Sequence, residues 1–308
     1  MRSLLALLFF AVAAIGQLQA QEFIPLWPRK KMPNSRGLAL KDSIANERVY
    51  RVGTPGMYAF LPSIQENKGA AVIICPGGGY ERLAYMISGH QLAKWFNTMG
   101  ISAFVLNYRL PNSPDLKERQ LGPLQDAQRA MRLIRAHAGK WGIKKDKVGV
   151  MGTSAGGHLA ATLGISSQDV SAIGDSLSKI PFQPDFMILV SPVINLGPYA
   201  HAGSKRNLLG ANPAEALVQQ YSLETRVTAD TPPAFLVHAA NDKSVSPMNS
   251  LLFYQALLQH QVPASLHMYP GGGHAIALRN NPGTTETWTM LCEMWLKEMQ
   301  VIGAPLSK

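Results

Sequence analysis

Two cysteines in 308 residues are too few for a small disulfide-stapled scaffold, so the fold must come from burial. Charge is sparse as well. Asp, Glu, Lys and Arg make up 16% of the chain, Lys plus Arg outnumber Asp plus Glu by 29 to 19, and no run of five basic residues occurs. A net charge of +10 spread this thinly lacks the clustered patch that nucleic-acid binding requires, so no nucleic-acid partner is expected. After residue 20 no apolar stretch is long enough to span a bilayer. Internal repeats and low-complexity segments are absent too, which excludes solenoids and collagen-like chains. What is present is 46% hydrophobic residues with 27 Gly and 21 Pro, a composition able to bury a sizeable core in one or two domains.

The first twenty residues have a character of their own. Arg2 precedes an unbroken apolar run from Leu4 to Ile15, and small residues follow between Gly16 and Ala20, the pattern of a secretory signal peptide. A cleaved signal over 1–20 predicts a secreted or periplasmic chain without membrane insertion, with one catalytic domain over 21–308. An oxidising compartment raises the question of a Cys75–Cys292 bridge, but two cysteines in a domain this large are expected to lie buried and free.

Beyond a Pro-rich start the chain alternates two periods. Short apolar runs at Ala70–Cys75, Ile101–Leu106, Lys147–Met151, Phe186–Val190, Ala234–His238 and Ser265–Tyr269 read as strands. Helical patterns lie between them, at Leu92–Met99, Leu124–His137, Leu251–His260 and Thr285–Met299. Such alternation predicts an α/β fold with a mostly parallel central sheet covered on both faces. The pattern lapses between Ile194 and Pro232, around one predicted helix at Pro213–Gln220. That stretch is read as a lid-like insertion roofing a small acyl pocket, since insertions of this kind usually lie over the carboxyl ends of the strands.

The chemistry concentrates at those strand ends. Gly152-Thr153-Ser154-Ala155-Gly156 sits between a strand and a helix, the context in which G-x-S-x-G forms a nucleophile elbow. The turn is so tight that only small residues fit beside the serine, and its hydroxyl is lifted above the sheet. Upstream, Pro76-Gly77-Gly78-Gly79-Tyr80 follows another strand and can bring backbone N–H groups up to a carbonyl oxygen. Gly78, Gly79 and Ala155 are the candidate oxyanion-hole donors, and Gly78→Val is expected to crowd that position while sparing the fold. Tyr80 is a candidate for stacking on a sugar or an aromatic acyl group.

A serine hydroxyl needs a base, and the base needs a carboxylate to orient it. His274 follows Tyr269-Pro270-Gly271-Gly272-Gly273, a loop after the last strand that can swing an imidazole over the site. Asp242 directly follows a strand, whereas Asp185 precedes one and Glu215 and Glu224 fall in the insertion. Ser154, Asp242 and His274 therefore form the candidate catalytic set. It calls for no metal and no cofactor.

From about Met57 to Met299 these motifs resemble the α/β-hydrolase superfamily and its hormone-sensitive-lipase-like esterases, whose oxyanion loop reads H-G-G-G. The strings Cys75-Pro76-Gly77-Gly78-Gly79-Tyr80 and Gly152-Thr153-Ser154-Ala155-Gly156-Gly157-His158-Leu159-Ala160 are similar to those of secreted bacterial acetylxylan and feruloyl esterase-like enzymes. The departure is Pro76, where that branch usually carries histidine, so any brace from that imidazole must be replaced. The resemblance implies an acyl-enzyme esterase acting on short acyl esters, with O-acetyl groups on xylan or related plant oligosaccharides favoured. It also marks the helix with Asp126, Arg129 and Arg132 as a structural ion-pair cluster. Alternatives left open are a feruloyl or general short-chain carboxylesterase, a serine peptidase, and a binding module that has kept the fold. Oligomeric state is not legible.

Overall fold

A computed structural model describes residues 21–274 and 276–303. The signal-like segment lies outside the described residues. The long apolar runs become the middle of one eight-stranded sheet. Its strands are β1 (Phe23–Pro25), β4 (Gly56–Phe60), β5 (Ala71–Cys75), β6 (Ser102–Asn107), β7 (Val148–Thr153), β8 (Met187–Val190), β9 (Ala234–Ala239) and β10 (Ala264–Tyr269). They run in the order β1-β4-β6-β5-β7-β8-β9-β10. From β6 to β10 all pairings are parallel, while β4 joins β6 and β1 joins β4 antiparallel. A separate hairpin pairs β2 (Ser43–Ala45) with β3 (Arg48–Arg51). Strands β1 to β3 are three or four residues long and partly exposed, and so carry none of the continuous apolar runs that reveal the parallel ones, whereas β4 is largely buried.

Seven α-helices lie among the described residues: α1 (Gln91–Thr98), α2 (Leu121–Ala136), α3 (Ala155–Ile165), α4 (Ala202–Leu209), α5 (Glu215–Gln220), α6 (Met248–Gln259) and α7 (Trp288–Glu298). Alternate strand residues feed two cores. Ala71, Ile73 and Cys75 enter one with Leu159 and Phe253, and Val72 and Ile74 enter the other with Trp288 and Cys292. Cys75 and Cys292 thus lie on opposite faces of the sheet, both buried and free, and burial pushes each thiol well up. Helix α2 carries acid and base at every third position, and none of these pairs with another. Asp126 binds Arg109, while Arg129, Arg132 and Arg135 bind Asp175, Asp169 and Asp185. The last three carboxylates pin the long irregular connection between α3 and β8.

The segment 194–232 divides. His201, Gly203, Arg206 and Asn207 reach the cavity described below, whereas Val218, Tyr221, Leu223 and Val227 pack into the core. The second half therefore carries structural packing and does not line the cavity. The expected helix shortens to α5, and α4 forms where the alternating pattern lapses.

Candidate active site

Parallel strands place all their carboxyl ends at one edge, and the chain delivers its chemistry there. Ser154 follows β7 at φ +57° and ψ −122°, a conformation that non-glycine residues rarely adopt, and α3 starts immediately after it. The neighbours permit the turn because they have no side chain. A Cβ at Gly152 would overlap the Gly156 carbonyl oxygen, and one at Gly156 would overlap that of Cys75. The loop after β10 brings His274 across, with Nε2 2.8 Å from Ser154 Oγ. The loop after β9 supplies Asp242, whose Oδ2 lies 2.7 Å from His274 Nδ1.

The protons follow from chemistry. A carboxylate only accepts, so His274 Nδ1 donates to Asp242, and Nε2 is left to accept from the Ser154 hydroxyl. Asp242 is itself saturated. Its Oδ1 accepts from Ser244 N–H at 2.8 Å and Val245 N–H at 3.0 Å, and its Oδ2 also faces His238 Nε2 at 3.2 Å. His238 Nε2 faces the Val245 carbonyl as well, so it carries the proton, and its Nδ1 accepts from Ser250 Oγ at 2.8 Å. Burial pushes the Asp242 carboxyl up, but hydrogen bonds from His238, His274 and the Val245 N–H outweigh it and hold the group well below the ordinary carboxylate range. Motif reading missed His238. The one available signal was its place at the end of β9, four residues before the carboxylate.

The glycine loop stands beside the serine. Gly78 has φ +137° and Gly79 φ +66°, and both line the cavity over Ser154. Among the described residues, the N–H groups of Gly78, Gly79 and Ala155 meet no protein acceptor. Three side-chain bonds brace the loop without the usual histidine at position 76. Tyr108 donates to the Pro76 carbonyl at 2.8 Å, Gly77 N–H donates to Ser88 Oγ at 3.1 Å, and Asn207 Nδ2 donates to the Gly79 carbonyl at 2.8 Å. A Cβ on Gly78 would overlap the Arg82 carbonyl oxygen. Substitution there is thus a backbone conflict, contrary to the expectation that the fold would be spared.

Tyr80 is corrected by the structure. At φ +59° the chain turns its ring inward, where it is 2% exposed, and its hydroxyl lies 2.9 Å from His158 Nδ1. His158 Nε2 donates to the Tyr221 carbonyl, so Nδ1 accepts from Tyr80, and burial pushes the imidazole down to about 4. This pair ties the glycine loop to α3. It offers no face to a sugar.

The cavity over Ser154 holds about 520 Å³ and takes in Ser154, His274, Gly78 and Gly79. BD-FAE is the family that matches, over residues 57–257. The chain belongs to the BD-FAE family. It is 35% identical over 286 residues to the endo-1,4-beta-xylanase B of Butyrivibrio fibrisolvens, covering 89% of this chain and 44% of that one. It is 34% identical over 227 residues to the acetylxylan esterase of Xylanibacter ruminicola, covering 72% and 44%. The chain thus spans less than half the length of these two curated relatives. Among solved structures, the acetyl ester-xyloside bifunctional hydrolase of Caldicellulosiruptor lactoaceticus superimposes with a TM-score of 0.79 at 37% identity, covering 94% of this chain and all of that one. The carboxylesterase Cest-2923 of Lactobacillus plantarum gives 0.68 at 27% identity, covering 86% and 98%. The architecture of this BD-FAE chain is accordingly the α/β-hydrolase fold.

Proposed function

We propose that the chain is an exported serine esterase that removes short acyl groups, foremost acetyl, from xylan or related plant oligosaccharides. The observation that carries the reading is the line Ser154 Oγ, His274, Asp242 at 2.8 and 2.7 Å beside a loop of free backbone N–H groups. In this scheme His274 takes the Ser154 proton as the hydroxyl attacks the ester carbonyl, and returns it to the departing alcohol. The N–H groups of Gly78, Gly79 and Ala155 receive the charge on the carbonyl oxygen. Water then enters by the same route, His274 again holding the proton, and the acid is released. Asp242 keeps the imidazole in the required tautomer throughout.

The names of two relatives, an acetylxylan esterase and an acetyl ester-xyloside hydrolase, support the acyl and carrier classes. The pattern over residues 1–20 supports export. The test is hydrolysis by residues 21–308 of acetylated xylo-oligosaccharides, feruloyl esters and nitrophenyl esters of increasing chain length. Acetyl should exceed octanoyl, and Ser154→Ala or His274→Ala should cost about 10⁴-fold or more in turnover. Octanoyl preference with acetylated xylo-oligosaccharides untouched would reject the carbohydrate reading. Undiminished hydrolysis by Ser154→Ala would reject the serine mechanism.

A further inference from the structure

The lining of the cavity over Ser154 is of two unlike kinds. Leu92, Met151, Val190 and Trp288 are apolar and buried in one of the two cores. Arg48, Arg82, His201 and Arg206 are half-buried or exposed. The basic residues are placed there by construction. Val49 and Leu83 exchange backbone hydrogen bonds at 3.0 and 2.8 Å and are both buried. Residues flanking such a pair face the other way, which sets Arg48 and Arg82 on one outward face. Arg206 rides on α4, whose next residue, Asn207, holds the Gly79 carbonyl. His201 caps the same helix. Its Nδ1 accepts from the Ser204 N–H at 3.1 Å, so the proton sits on Nε2, which meets no acceptor among the described residues.

The charges of the exposed lining are not cancelled. Arg82 pairs with Glu81, the one carboxylate lining the cavity among the described residues, while Arg48 donates only to the Asn46 carbonyl and Arg206 has no partner among the described residues. Three arginines less one glutamate leave +2 with His201 neutral. Elsewhere the chain behaves differently, since buried Arg109, Arg129, Arg132 and Arg135 each have an aspartate. An ester on Ser154 must send its carrier toward solvent, past the exposed part of the lining, because a sugar chain cannot continue into side chains buried in the core. That carrier therefore passes Arg48, Arg206 and the His201 N–H.

We infer that the preferred carrier is an acidic oligosaccharide, one whose uronate-type carboxylate is received by Arg48 and Arg206 with His201 donating beside them. The inference rests on the esterase reading above and specifies its substrate. Two half-exposed guanidinium contacts of ordinary strength multiply to about 10-fold in kcat/KM, and salt weakens them.

The experiment takes two acetylated xylo-oligosaccharides of equal length and acetyl content, one with a single uronate branch and one without. Their kcat/KM ratio is measured at low salt and at about 0.5 M salt, for the parent chain and for Arg48→Gln/Arg206→Gln. The expected ratio is about 10 for the parent at low salt, shrinking with salt and falling toward one in the double variant. Because both substrates are read on the same protein, any loss of folded enzyme cancels. A parent ratio of one, or a ratio the double variant leaves unchanged, overturns the inference and leaves the esterase reading standing. Failure of the parent to hydrolyse either oligosaccharide removes the carbohydrate reading, and this inference with it.

Discussion

Asp242→Asn is a sharp test because the surroundings dictate how the amide must sit. Ser244 N–H and Val245 N–H both point at Oδ1, at 2.8 and 3.0 Å, so the asparagine oxygen must stay there and its NH2 must take the place of Oδ2. That position lies 2.7 Å from His274 Nδ1. A donor there forces Nδ1 to accept, the imidazole proton moves to Nε2, and Nε2 then faces Ser154 Oγ unable to take its proton. Holding the wrong tautomer should cost about 10⁴-fold in kcat, or about 5 kcal/mol of barrier. The same NH2 opposes the His238 Nε2 proton, which also serves the Val245 carbonyl, so the fold should lose about 1–3 kcal/mol. The assay is nitrophenyl acetate turnover beside thermal and urea unfolding of the same preparations. A folded Asp242→Asn variant retaining a tenth or more of parental kcat would refute the assigned roles of Asp242 and His274.

Tyr80→Phe strips the donor from His158 Nδ1 and should cost about 1–3 kcal/mol in urea unfolding while leaving the ratio of acetyl to feruloyl hydrolysis unmoved. A change in that ratio would restore Tyr80 to the substrate. Gly78→Ala and Gly79→Ala should separate. The first meets the Arg82 carbonyl and should unfold at clearly lower urea, whereas the second meets nothing nearer than 3.9 Å and should lose only about 1 kcal/mol for its φ, with equal losses counting against the loop geometry. Stability should also fall with pH from about 6.5 toward 4 through His158. Its pKa is 6.5 when unfolded and about 4 when folded, so in that window the unfolded chain binds a proton that the native one refuses. The slope is at most about 1.4 kcal/mol per pH unit for one group, and His158→Gln should remove that share while His90, pushed down to about 4 by its own burial, keeps its own, as urea titrations at pH 7 and 5 would reveal.

Motif and periodicity made much of this molecule legible in one dimension. The parallel strands are continuous apolar runs because both sheet faces are covered, and a G-x-S-x-G turn announces itself because sterics leave few other residues for it. His274 and Asp242 could be chosen because each follows a strand, and order along the chain then becomes position along an edge. Direction was harder to read. Tyr80 adjoins the glycine loop in sequence, yet a single positive φ sends its ring into the core. His201 and His238 were missed because a histidine that serves as a cap or a hydrogen-bond donor leaves no spacing pattern. Strands β1 to β3 escaped notice for a related reason, being too short and too wet to repeat a period. Helix α2 revealed its charges but not their partners, which lie 17 to 50 residues away.

The positive φ at Ser154 has a further meaning for how such a chain can change over generations. A non-glycine residue held there costs on the order of 1–3 kcal/mol, a noticeable share of a total stability of about 5–15 kcal/mol. Glycine would relieve that strain, offset in part by the freedom it adds to the unfolded chain. Selection for robustness alone would thus tend to erase the hydroxyl, and only its use retains it. Descendants released from that use should drift toward glycine at position 154 first, keeping the sheet, both cores and the arginine spacing of α2.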